Sequence, residues 1–335
     1  MVALLPWHED DWARVSTVPR GLHHGLVLAG PSGIGKREFA VKLAQWLLCG
    51  SLEEKPCGNC QDCRLFEAGT HPDFHVILSE AEVEQGRLDL LRDYAARYPE
   101  SRPDSQRKNP SRVITVEKIR LLIDRFVQSS HTAQGRVALL LPADRMNVNA
   151  ANALLKLLEE PPADGHFLLV TDQPDALLPT IRSRCLVETL AVADSQAAGD
   201  WLKRRAGGPR QHADAALAAG IGPLDVLAQE TSGLLAKRAA ELDAIQQLCS
   251  GRVDPVVLAG KMSGHDAVDL LRWLQQLVGQ LIRWHSASGP PPWGELDDVP
   301  REGYSPRGLF ALYDKIGRYR RIARDQLNLQ LALEE

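Results

Sequence analysis

Seven residues, Gly30-Pro-Ser-Gly-Ile-Gly-Lys36, constrain this chain more than any others. They follow the apolar run Gly25-Leu-Val-Leu-Ala-Gly30 and precede an amphipathic stretch from Lys36 to Cys49, so the G-x4-G-K spacing falls between a buried strand and a helix. In that setting the glycines let backbone N–H groups turn toward phosphate oxygens. The helix start adds its dipole, and the lysine adds a balancing charge. A loop of this kind belongs to a parallel α/β sheet. The chain continues in that rhythm: strands are expected at Phe74–Leu78, Arg136–Leu141 and Phe167–Thr171, and helices at Val116–Gln128 and Ala150–Glu160, the second stopped by Pro161-Pro162.

The chemistry that normally accompanies such a loop is broken in two places. The residue after the lysine should carry a hydroxyl for Mg²⁺, but Arg37 stands there, and a guanidinium repels a metal cation. A carboxylate pair should close the third apolar strand, to hold the metal and orient water. Leu141 and Pro142 occupy those positions, and Asp144 lies too far along to replace them without a register shift. Hydrolysis by the chain itself is therefore not expected. Gly30, Gly33, Gly35 and Lys36 leave two readings open: a loop that holds ATP or ADP without hydrolysing it, and a structural relic closed to nucleotide.

Four of the six cysteines crowd into Cys49-x7-Cys57-x2-Cys60-x2-Cys63. Four thiolates suffice for a closed tetrahedral zinc site, and Gly58, Asn59 and Asp62 turn easily between them. A structural Zn²⁺ is expected, with no open coordination position. Cys249 reads as a core residue. The net charge of -4 argues against a protein that coats nucleic acid alone, and 44% hydrophobic with 24% charged residues is ordinary for a globular protein. The N-terminus lacks a basic n-region and no apolar run approaches the ~20 residues that span a bilayer, so a cytoplasmic protein without membrane contact is expected.

From Ser79 to Arg112 the chain is polar and weakly periodic, which reads as an exposed insertion, partly helical near Leu88–Tyr98 and disordered near Pro99–Pro110. Beyond Leu190 strands disappear. A helix runs through Trp201, Gly207-Gly208-Pro209 breaks the chain, and apolar stripes follow, divided by a loop at Ser286–Pro300. The expected organisation is α/β followed by all-α: residues 1–190, carrying the cysteine module 49–63 and the insertion 79–112, then small helical segments 191–233, then a helical block 234–335.

Taken together, several blocks resemble one family. These are the phosphate loop with its helix ending Leu47-Leu-Cys49, the cysteine insert, Ala68-Gly-Thr-His-Pro-Asp73, Ala150-Ala-Asn-Ala-Leu-Leu-Lys-Leu-Leu-Glu-Glu-Pro-Pro162, and Leu178-Pro-Thr-Ile-Arg-Ser-Arg-Cys185. They resemble the bacterial DNA polymerase III clamp-loader subunits of the AAA+ superfamily over Leu22 to about Leu190. Arg37 and Leu141-Pro142 fit the delta-prime type better than the ATPase motor type (gamma or tau), which keeps its metal-holding residues. A motor with a divergent but active loop is the alternative. The resemblance implies an AAA+ RecA-like domain, a small helical lid and a collar domain. It also implies a hetero-oligomer with gamma/tau and delta subunits, and work on a sliding clamp and primed DNA within a DNA-directed DNA polymerase holoenzyme. Ser183-Arg184-Cys185 resembles the family's Ser-Arg-Cys motif, so Arg184 is implied as an arginine finger reaching a neighbour's ATP. Asp172 falls where related ATPases place a polar phosphate sensor, and a carboxylate there would repel phosphate.

Overall fold

In the computed structural model the described residues are 2–16, 22–85, 88–98, 110–127, 134–192, 194–206, 217, 221–232, 234–249, 251–264, 267–286, 305–322 and 328–334. The chain divides into two compact units, Met1–Asp194 and Ser195–Glu335.

The first unit is built on five parallel strands: β1 (Gly25–Ala29), β2 (Phe74–Leu78), β3 (Arg136–Leu141), β4 (Gly165–Thr171) and β5 (Leu186–Thr189). Their order is β2-β3-β4-β1-β5, so the strand that carries the phosphate loop lies between β4 and β5. Every residue of β1 and β3 is buried, as expected of parallel strands covered on both faces. Alternation splits them between two cores. Leu26, Leu28, Leu139 and Leu141 face α2 (Lys36–Leu48), while Val27, Ala29, Ala138 and Leu140 face α6 (Val116–Phe126) and α7 (Val148–Glu159). On α6 the three-four spacing buries Ile119, Leu122 and Phe126; α7 starts where the Asn147 side chain accepts the Ala150 N–H at 2.8 Å. This is the parallel α/β sheet anticipated from the sequence. Among the further elements of this unit are α1 (Glu9–Ser16), α3 (Gln61–Glu67) and the edge strand β5.

The polar stretch 79–112 needs a correction. It holds two helices, α4 (Glu80–Gln85) and α5 (Asp89–Ala95), and it is not simply exposed. Leu91, Tyr94, Ala95 and Tyr98 are buried, and Tyr94 stacks edge-on to Phe74 with ring centroids 4.6 Å apart. The Tyr94 hydroxyl accepts the His71 N–H at 3.1 Å and donates to the Phe66 carbonyl at 3.0 Å, while Arg97 donates to the carbonyls of Gly69 and His71, both at 2.7 Å. The charges that made the segment read as solvated flank a short apolar stripe. Tyr94→Ala is expected to cost about 3–5 kcal/mol, as for other large buried aromatics, measurable by chemical denaturation. A loss near zero would restore the exposed reading.

In the second unit Leu202, Ile221 and Val226 form one small apolar cluster. A larger one gathers Leu258, Met262, Leu270, Leu271, Val278, Leu309, Ile316 and Leu329. Helices Ala267–Ser286 and Pro306–Ile322 approach closely at Gly279, where an added Cβ would meet the Tyr313 ring at 3.3 Å. Leu309 and Ile316 face inward, whereas Phe310, Leu312, Tyr313 and Leu331 are exposed. The expected disorder at Pro99–Pro110, the break at Gly207–Pro209, most of the Ser286–Pro300 loop and the Cys249 side chain lie outside the described residues.

Candidate functional site

Three sites predicted from sequence sit on the first unit: the phosphate loop, the cysteine cluster and Arg184. The loop leaves β1 at Ala29 and enters α2 at Lys36. Gly30 and Gly35 are required where they stand. A Cβ on Gly30 would lie 2.4 Å from the Leu190 carbonyl oxygen, and Gly35 has φ 95° with Leu5 Cδ1 2.1 Å from the position a Cβ would take. Leu5 belongs to an N-terminal segment packed on the loop. Trp7 Nε1 donates to the Ile34 carbonyl at 2.8 Å, and His8 Nε2 bonds the same oxygen at 2.7 Å.

Lys36 is 4% exposed, and its ammonium is fully engaged inside the protein. It donates to the carbonyls of Gly30 at 2.9 Å and Pro31 at 2.5 Å, and pairs with the Asp172 carboxylate at 2.7 Å. The next side chain, Arg37, pairs with Glu82 at 2.6 Å, and the two line one small cleft with Leu78, Leu88, Leu91 and Leu141. A guanidinium and a leucine thus share the place where a metal-binding loop would need a hydroxyl and a carboxylate. Asp144, the acid just beyond β3, accepts the Thr171 hydroxyl at 2.7 Å and pairs with Arg145 at 3.2 Å.

The four cysteines come together as the spacing required. Cys49 caps the C-terminus of α2, and Cys60 caps the N-terminus of α3, its sulfur accepting the Cys63 N–H at 3.4 Å. Their four sulfurs lie within 4.8 Å of one another, with Cys49 Sγ 3.6 Å from Cys57 Sγ and 3.9 Å from Cys60 Sγ. A tetrahedral zinc with ~2.3 Å bonds to sulfur needs edges of about 3.8 Å, so the donor set and its spacing fit the metal. Backbone N–H groups of Asn59 and Cys60 pull the Cys57 thiol down to about 6, toward the thiolate a metal requires. Burial pushes the Cys49 and Cys63 thiols up, a cost that a bound dication would reverse.

Arg184 follows α8 (Pro179–Arg182). Its guanidinium donates to the Thr180 carbonyl at 3.0 Å and pairs with Glu159, near the end of α7, at 2.8 Å; the side chain is 36% exposed. Cys185 turns the other way. Its sulfur would lie 2.8 Å from a Cβ on Gly25, and the Arg184 carbonyl 3.2 Å from it, so the first residue of β1 must be small for this segment to pack. Arg182, the neighbouring candidate, pairs with Asp175 at 2.9 Å on the surface.

Residues 16–194 match a family model described as DNA polymerase III, delta subunit. The chain is 34% identical over 295 residues to DNA polymerase III subunit delta' of Pseudomonas aeruginosa, covering 85% of this chain and 79% of the relative. It is 33% identical over 284 residues to the Yersinia pestis protein of that name (80% and 72% covered), and 34% identical over 202 residues to the Escherichia coli one (59% and 52%). This chain belongs to the DNA polymerase III delta-prime family. The matched segment ends at residue 194, where the first compact unit also ends, so all three candidate sites lie within the family's shared portion.

Sequence reasoning placed Lys36, Arg37, Leu141 and the cysteines but missed their partners. Glu82, Glu159 and the Leu5–His8 segment carried no motif that could reveal them. Asp172 stood out in the sequence only as a carboxylate at a phosphate-sensor position; that it pairs with Lys36 follows from β4 lying beside β1 in the sheet. Among the described residues no helix is long and apolar enough to cross a membrane.

Proposed function

We propose that this chain is the catalytically silent delta-prime subunit of a DNA polymerase III clamp loader, helping to place the sliding clamp on primed DNA. In this reading it works as part of the DNA polymerase holoenzyme in a hetero-oligomer with delta and with gamma/tau motor subunits. It presents Arg184 to the ATP held by the adjacent motor. Residues 191–233 serve as the lid and 234–335 as the collar domain, whose exposed Phe310, Leu312 and Tyr313 suit burial against other subunits. A Zn²⁺ on Cys49, Cys57, Cys60 and Cys63 braces the fold and takes no part in chemistry.

One observation carries the silent assignment. Both metal-holding positions are filled by side chains that cannot hold a metal, and Arg37 is neutralised internally by Glu82. The working group is then Arg184, whose partly exposed side chain is held by surface contacts that a partner's phosphate can outcompete, because a phosphate offers more charge and a bidentate match. The purified chain, given ATP, Mg²⁺ and primed DNA, is expected to show no turnover. Turnover that disappears in Lys36→Ala would make the chain a motor and end this reading.

A further inference from the structure

We propose that Asp172 is a built-in occupant of the phosphate loop: its carboxylate stands in for a nucleotide phosphate, and it, rather than any loss of the loop's own residues, keeps polyphosphates out. The inference rests on reading this loop as catalytically silent and identifies what silences its binding. Loop glycines and lysine are all present, and α2 starts where a phosphate-binding helix should. What differs is the state of the lysine. An ammonium has three N–H donors, and Lys36 has three acceptors around it, two loop carbonyls and Asp172, at 2.5 to 2.9 Å. No donor is left for a phosphate oxygen.

The position of Asp172 follows from topology. It is the first residue after β4, and β4 pairs in parallel with β1 so that Ala29 lies opposite Thr171. The loop and Asp172 therefore leave adjacent strands at the same level of the sheet. The Asp172 side chain is 48% exposed, so it reaches Lys36 from the solvent side, the direction from which a ligand would come. It excludes an anion twice, by accepting the ammonium's third N–H and by setting a negative charge at the entrance. The segment behind the loop is fixed separately, through Ile34 and Gly35 on Trp7, His8 and Leu5. Removing Asp172 should therefore leave the loop folded and its lysine available.

Two variants of the full-length chain separate charge from occupancy. Asp172→Asn removes the charge and keeps the reach; Asp172→Ser removes both. Binding of inorganic pyrophosphate and of ADP is measured by calorimetry, with thermal denaturation alongside. The unaltered chain is expected to show no saturable binding. Asp172→Ser should gain binding at least about tenfold tighter than the unaltered chain's limit, Asp172→Asn a smaller gain, and Asp172→Ser/Lys36→Ala should lose it. The gain should also appear as a ligand-dependent rise in Tm confined to the variants that bind. Equal binding by the unaltered chain and the variants would overturn the proposal, and so would variants that gain nothing. Failure of both variants to fold would overturn it as well, since Asp172 would then be structural. Binding without turnover by the unaltered chain ends this inference and leaves the silent-subunit reading intact; turnover ends that reading.

Discussion

Arg184→Ala in a reassembled clamp loader is expected to slow ATP turnover at the one site this chain faces by about 10³-fold or more, the scale of arginine fingers supplied in trans. Single-turnover hydrolysis at that interface is the measurement, because other motor sites in the assembly would mask a steady-state change. The variant chain itself should be as stable as the original. Its pair with Glu159 joins two partly exposed side chains, and such pairs contribute only about 0–1 kcal/mol. Arg184→Lys keeps the charge and loses the planar fork, so an intermediate rate is expected. An intact assembly that hydrolyses at an unchanged rate with Arg184→Ala would remove the finger from the account and leave Arg184 as the surface ion pair the isolated chain displays.

The second large effect concerns the metal. The purified chain should carry one zinc per molecule, and a strong chelator should lower its Tm sharply, with loss of order across residues 49–67. Structural zinc contributes roughly 10–16 kcal/mol of apparent binding energy in zinc-finger peptides, so even a fraction of that exceeds most side-chain contributions. Cys60→Ala tests one ligand that also caps α3, and it should reproduce the chelator's effect. Cobalt in place of zinc should give the intense thiolate charge-transfer bands of a four-sulfur site. A chain that purifies without metal and melts at the same temperature with and without chelator would refute the zinc assignment and leave four adjacent free thiols to explain.

Much of the first unit was legible in the sequence because its signals are local. A buried strand is a short apolar run, a phosphate loop is seven consecutive residues, and the cysteine ligands lie within fifteen positions of one another. β5 was not legible: Leu186-Val-Glu-Thr189 is four residues long, sits at the sheet edge and is largely exposed, so neither length nor apolarity marks it. The buried stripe of Leu91, Tyr94 and Tyr98 was hidden by charged residues interleaved with it, such as the exposed Asp89 and Arg92. At the candidate sites, residue types were readable but their occupancy was not. Lys36 announces a phosphate, yet its counter-ion lies 136 positions away, just past the end of the strand beside β1. Pairings set by strand order have no period or spacing to read.

The close packing of Gly25 against Cys185 has a consequence for how this family can change. The sulfur and the Arg184 carbonyl crowd the start of β1 so tightly that even a methyl group at position 25 has no room. A larger residue there would have to be accompanied by a smaller one at 185 or by a displaced turn, and a displaced turn would carry the guanidinium of Arg184 with it. Positions 25 and 185 are therefore expected to vary as a pair across descendants of this chain. The guanidinium of Arg184 therefore stays where this structure holds it only while the combined bulk at positions 25 and 185 stays small.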